Sequence, residues 1–210
     1  MTRIALIIGS TRSPRRSDYV ATWVEEAARR RLDGRGVVLD LVDVADFGLP
    51  VLDETHPAAY GLPYEHEHTR RWSRAIDSYD GFVFLTAEHN RGIPASLKNA
   101  IDYLYAEWAD KAAGFVSFGA SGGAHAVAHL RGVLSELKVH AVRAQVQLGS
   151  FTDFAVDAPS DLSDLGRMAV REHQEGALAG MLDEVVELAG ALRRMREERT
   201  APLTPVTATS

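Results

Sequence analysis

Three short stretches of this chain combine polar side chains in ways that can support chemistry. Glu88, His89 and Asn90 follow one another shortly after the apolar run of residues 82–85. An acid, an imidazole and an amide in succession can form a catalytic group, a metal site, a cofactor cradle or an ordinary loop. Residues 9–17, Gly-Ser-Thr-Arg-Ser-Pro-Arg-Arg-Ser, bring the hydroxyls of Ser10, Thr11, Ser13 and Ser17 together with Arg12, Arg15 and Arg16. Between a strand end and a helix start, hydroxyls, guanidinium groups and free helix N–H groups are what a phosphate dianion needs. The stretch carries neither a Gly-x-Gly-x-x-Gly fingerprint nor the Gly-Lys-Ser/Thr of a P-loop, so a polar connecting loop is the alternative. Residues 119–123, Gly-Ala-Ser-Gly-Gly, match the Gly-x-Ser-x-Gly pattern of a nucleophile elbow. Asp153 or Asp157 and then His173 follow Ser121 in the order of a hydrolase triad. That pattern arises easily in a glycine-rich loop, and a hydrolase leaves the arginine-serine loop without a role. The same glycines also let a flat ligand approach the backbone.

The remaining histidines read as structural. Glu65-His66-Glu67-His68 places histidines two apart, a spacing that converges on a metal only along a strand, whereas a helix start is expected there. His125 and His129 share a helix face, but Ala126 stands where a metalloprotease needs glutamate, and no metal site is expected. Trp72 and Trp108 are expected to pack, although either could border a ligand.

These loops need elements to position them. Residues 4–8, 82–85 and 115–118 are continuous apolar runs, as strands buried on both faces require, and 37–42 is a further strand candidate. In 142–148, Arg143, Gln145 and Gln147 alternate with Val142, Ala144, Val146 and Leu148, the pattern of an edge strand. Val20, Trp23, Val24, Ala27 and Ala28 make one amphipathic stripe, which ends in Arg29–Arg31 with Gly34 as its stop. Ile93, Leu97, Ala100, Ile101 and Leu104 make a second, with Pro94 suited to the first helical position and Lys98 placed to pair with Asp102. A third helix should follow Gly123, and a long one should cover about 170–198. Five strands alternating with helices predict an α/β, flavodoxin-like three-layer sandwich with a five-stranded parallel sheet of order 2-1-3-4-5. In such sheets a ligand sits beyond the carboxyl ends of the strands, where the three polar loops fall.

The chain of 210 residues suits a single domain over 1–198, with 199–210 expected as a disordered tail. A net charge of −6 argues against a nucleic-acid partner. With no cysteine there is no disulfide, thiolate ligand or cysteine nucleophile, which suits a reducing cytoplasm. No apolar run approaches the roughly 20 residues of a membrane span, and no targeting segment is expected.

The motifs Gly-Ser-Thr-Arg-x-x-Arg (9–15), Ala-Glu-His-Asn-x-x-Ile-Pro-Ala-Ser-Leu-Lys-Asn-Ala-Ile-Asp-Tyr-Leu (87–104) and Ser-x-Gly-x-x-Gly-Gly (117–123) together resemble the NADPH-dependent FMN reductases. That family includes flavoproteins that reduce azo compounds, chromate and quinones. The resemblance runs from about residue 3 to 148, takes in 46–54 and 64–72, and is most specific in the 87–104 motif. It implies that Ser10, Arg12, Arg15 and Ser17 hold the FMN phosphate. It implies further that Ala87, Glu88, His89 and Asn90 line the isoalloxazine ring, with Ser117, Gly119 and Gly122 closing the other side. Two positions depart from the family pattern: Ala87 stands for a proline and His89 for a tyrosine. The implied activity is hydride transfer from NAD(P)H through FMN to a quinone, free flavin or similar acceptor, with no side-chain acid or base required. A homodimer or homotetramer is implied as well. The rivals are an FMN-binding electron carrier or redox sensor without turnover, and the serine hydrolase built on Ser121.

Overall fold

The computed structural model describes residues 1–157 and 164–200. Strands β1 (Thr2–Ile8), β2 (Val37–Asp43), β3 (Gly81–Ala87), β4 (Ala112–Gly119) and β5 (His140–Gly149) form one parallel sheet in the order β2-β1-β3-β4-β5. Helices α1 (Ser17–Leu32), α2 (Glu67–Asp77), α3 (Ala95–Asp102), α4 (Ala124–Glu136) and α5 (Glu172–Thr200) cover it.

Alternation along the central strands sorts the core into two layers. Ile4, Leu6 and Ile8 of β1 and Val83 and Leu85 of β3 face α1 and α5, meeting Val20, Val24, Leu182 and Val185. Ala5, Ile7, Phe82 and Phe84 face the other way, onto Trp72 and Ile76 of α2, Leu97 and Ile101 of α3 and Leu130 and Leu134 of α4. Every residue of β3 and β4 is buried, as a strand covered on both faces demands, while β5 alternates buried Val142 and Val146 with exposed Arg143 and Gln147. Trp72 and Trp108 are fully buried, and their ring N–H groups donate to the carbonyls of Ala100 and Ile101 at 2.7 and 3.1 Å. Neither borders the cleft.

Three details differ from the sequence reading. Pro94 sits one position earlier than expected, as the residue that caps α3, and Leu104 is buried beyond that helix's end. The last helix continues through Arg199 to Thr200, so the expected tail begins no earlier than 201, outside the described residues. A two-stranded antiparallel ribbon, β6 (Phe154–Ala155) with β7 (Arg167–Met168), follows the sheet where no element was expected. Two residues per strand are too few to leave a periodic signal.

Candidate functional site

The carboxyl ends of β1, β3, β4 and β5 place residues 9–17, 88–94, 119–123 and 150–154 on one rim of the sheet. They enclose a cleft of about 920 Å³. Of the residues singled out from the sequence, Ser10, Arg12, Arg15, Ala87, Glu88, His89 and Gly119 line it, whereas Ser17, Asn90, Ser117 and Gly122 stand behind or beside it. A second cavity, of about 590 Å³, lies between α1 and β2 near Met1 and Gly36, at the opposite end of the strands.

The three arginines of the first loop have different fates. Arg15 folds back onto Asp43 at the end of β2, donating from Nη1 to Oδ1 at 3.1 Å and from Nη2 to Oδ2, and its Nε donates to Asp18 at 2.7 Å. The bond to Asp43 holds its guanidinium above the ordinary arginine value, against the opposing effect of burial. Arg16 reaches the other way, donating from Nε to the Leu165 carbonyl at 2.7 Å and from Nη1 to the Ser150 carbonyl at 3.2 Å. Its guanidinium also lies 4.7 Å from the centre of the Phe154 ring. Burial, with Arg12 nearby, pushes Arg16 below the ordinary value. Arg12 is exposed, and among the described residues its side chain has neither a hydrogen-bond acceptor nor a carboxylate partner.

Two serines complete this corner. Ser10 is 3% exposed, and its hydroxyl oxygen accepts only a long bond, 3.4 Å, from the Arg12 N–H. Ser17, the first residue of α1, is fully buried with its Oγ unpartnered. A buried hydroxyl without a partner is costly unless a ligand satisfies it. An unpaired guanidinium, two hydroxyls and a helix N-terminus without a side-chain cap make a donor set suited to a phosphate dianion.

In the second loop, Glu88 serves as an anchor. Its N–H donates to the Phe118 carbonyl at 2.9 Å, extending the β3–β4 pairing by one bond. Its carboxylate Oε2 accepts the backbone N–H groups of His125 at 3.0 Å and Ala126 at 3.1 Å, capping α4 from a distant position in the chain. His89 and Gly92 exchange backbone hydrogen bonds at 2.9 Å in both directions, closing a tight turn. Asn90 and Arg91, its two central residues, have φ of +51° and +66°. Positive φ at both centres is the requirement of a type I′ turn; asparagine tolerates it, arginine poorly.

The third loop is braced from within. The buried Ser117 hydroxyl donates to the Gly122 carbonyl at 2.7 Å, with the Val146 carbonyl at 3.3 Å. Gly122 has φ +71°, and a Cβ there would lie 2.9 Å from that of Gln147; one on Gly119 would lie 2.9 Å from the Glu88 Cβ. These positions are small because the protein's own side chains press on them. No triad assembles around Ser121. The serine is exposed and no histidine among the described residues bonds it. Asp153 accepts from the Gly149 N–H at 2.6 Å, and Asp157 pairs with Arg167 at 3.1 Å.

Sequence reasoning missed the fourth wall. Ser150, Phe151, Phe154 and Leu165 line the cleft with Arg16, from a segment beyond the reach of the motif resemblance. Its signal was two phenylalanines, Phe151 and Phe154, just beyond the edge strand. The His66–His68 pair stacks at 5.1 Å beside Asp53, away from the cleft. No group of three or more potential ligands among the described residues is placed to hold a metal ion. None of the helices described is long and apolar enough to cross a membrane.

The sheet order and the rim cleft define a flavodoxin-like α/β protein. The sequence profile of the NADPH-dependent FMN reductases matches residues 2–153, and the chain belongs to that family. It is an oxidoreductase that uses FMN and NAD(P)H. The NAD(P)H-dependent FMN reductase ntnL of a Nectria species is 38% identical over 196 residues, 90% of this chain and 97% of the relative. A quinone reductase of Pseudomonas putida is 33% identical over 127 residues, 57% of this chain and 62% of the relative. The fold is shared with FerB, a flavoenzyme NAD(P)H:(acceptor) oxidoreductase of Paracoccus denitrificans. The two superpose with a TM-score of 0.66 at 21% identity, covering 91% of this chain and 98% of that one.

Proposed function

We propose that the rim cleft is the FMN site and that the protein reduces a quinone, a free flavin or a similar small acceptor at the expense of NAD(P)H. One observation supports the assignment: Arg12, without a partner among the described residues, lines one end of a cleft of cofactor size together with Ser10, and the orphaned Ser17 hydroxyl lies behind them at the start of α1. FMN held there would supply the hydride chemistry that links NAD(P)H to the acceptor.

The chain's own residues bind, orient and enclose. Arg12, Ser10 and Ser17 take the phosphate. Arg15 supports them indirectly, donating from Nη1 to the Ser10 carbonyl at 2.5 Å while it holds Asp43. Ala87, Glu88 and His89 form the wall for the ring system, and the Asn90 turn fixes the direction in which His89 leaves the strand. Ser117, Gly119 and Gly122 keep the facing loop close. With His89 in place of a tyrosine, an imidazole rather than a phenol stands at the cleft. A homodimer or homotetramer working in the cytoplasm is the assembly and location this reading carries.

A visible spectrum of the purified protein, loaded with FMN and washed, tests the reading. A retained flavin band that NADPH bleaches and 1,4-naphthoquinone restores, over many cycles, is expected. Failure to retain flavin would remove the site assignment. Bleaching without repeated turnover would favour a carrier or sensor instead.

A further inference from the structure

Phe151 is 85% exposed, yet it lines the cleft. Its aromatic neighbours in that wall, Phe118 and Phe154, are core residues at 9% and 4% exposure, with ring centres 6.2 Å apart. Phe151 alone shows its ring to solvent there. Single exposed apolar residues are common on protein surfaces and need no explanation by themselves. Two features set this one apart: its place on the cleft wall and the fixed backbone that carries it.

Hydrogen bonds surround it on both sides. The Ser150 N–H donates to the Gly119 carbonyl at 2.8 Å, and the Ser150 carbonyl accepts from Arg16 at 3.2 Å. The Thr152 and Asp153 N–H groups both donate to the Gly149 carbonyl, at 3.2 and 2.9 Å. The Gly149 N–H returns a bond to Asp153 Oδ2 at 2.6 Å, and Arg171 donates to the Thr152 carbonyl at 3.2 Å. The turn is thus tied to β4, to α1, to itself and to the chain leading into α5. A phenylalanine on such a turn has only two side-chain torsions left to order, so it can meet a flat ligand at little entropic cost.

We propose that Phe151 is the stacking residue for the planar ring of a substrate entering the cleft, either the nicotinamide of NAD(P)H or a quinonoid acceptor. It thereby helps to set which aromatic substrates the protein accepts. The inference rests on the FMN reading of the cleft. It deepens that reading by naming a residue from the wall that neither the three polar loops nor the family motifs include.

The test uses FMN-loaded, oxidised protein, in which neither NADP+ nor 1,4-naphthoquinone can react. Calorimetry measures the Kd of each ligand for the wild type, Phe151→Ala and Phe151→Trp. Loss of the ring is expected to raise at least one Kd about three- to tenfold, with Phe151→Trp restoring it. FMN affinity and melting temperature should stay at the wild-type values. A change confined to the quinone assigns the ring to the acceptor; one confined to NADP+ assigns it to the nicotinamide. Unchanged values for both ligands, a loss that tryptophan fails to restore, or an equal weakening of FMN would each overturn the proposal. A wild type that binds no FMN sinks the underlying reading too, whereas one that turns over beside an indifferent Phe151→Ala sinks this inference alone.

Discussion

Glu88, just beyond the end of β3, accepts the backbone N–H of His125 at 3.0 Å and so ties the cleft wall to the N-terminus of α4. A second bond, from Ala126 at 3.1 Å, makes this a two-point cap by a residue outside the helix. Replacing Glu88 with alanine is expected to lower stability by about 1 kcal/mol, with glutamine losing less because its amide oxygen still accepts. Urea denaturation of the two variants measures the difference. Equal loss in both would mean that the negative charge at the helix end, rather than the acceptor, supplies the effect.

Substitutions at Arg12 and Arg15 are expected to separate binding from folding. Arg12→Ala should leave the stability of the flavin-free protein within about 0.5 kcal/mol of wild type. It should weaken FMN binding by about tenfold or more, since a charge-assisted bond to phosphate is lost. Arg15→Ala should do the reverse in emphasis. It strands Asp43, whose side chain is 13% exposed, and costs about 1–3 kcal/mol of stability. Fluorescence titration with FMN and a denaturant curve on each variant distinguish the two.

Lys111 sets a pH dependence unconnected with the cleft. The residue is 4% exposed, and its ammonium donates to the Ile76 and Asp77 carbonyls at the end of α2 at 2.9 and 3.0 Å. Burial pushes its pKa down from 10.5 to about 8. Between those two values the unfolded chain binds a proton that the folded protein has released, so stability rises with pH across that window, by up to about 3 kcal/mol. Lys111→Met should flatten the rise. Urea midpoints of both proteins near pH 7.5 and near pH 10 decide it; parallel curves would show that Lys111 titrates normally.

Arg91 occupies a left-handed position at φ +66°. Glycine carries no Cβ penalty there, so Arg91→Gly should raise stability by about 0.5–1 kcal/mol, offset in part by the greater freedom of the unfolded chain. A lower melting temperature would mean that the arginine side chain makes up for its strained backbone.

The alternation of charged and apolar residues in β5, and its absence in β3 and β4, made the sheet order legible, because burial on one face or two writes itself into each strand. The three polar loops could be placed on one rim for the same reason. What stayed illegible was the partner of each polar side chain. Arg12 and Arg15 are chemically identical in the sequence, and only Asp43, 28 positions from Arg15, divides a candidate ligand from a strut. Glu88 likewise gains its role from amides 37 and 38 positions away. The wall formed by Ser150, Phe151 and Leu165 has no period to betray it, and its link to Arg16 depends wholly on tertiary packing.

That link bears on when the site comes into being. Arg16 joins residues 134 and 149 positions further along the chain. Contacts of such long range close late, because the loop entropy they cost must first be met by the sheet that brings their ends together. A ribosome-bound chain that has not yet released Leu165 therefore has the arginine-serine loop but not the opposite wall. On the proposed reading of the cleft, flavin capture would then follow the closing of these contacts, and bound flavin would report a chain whose far wall is in place.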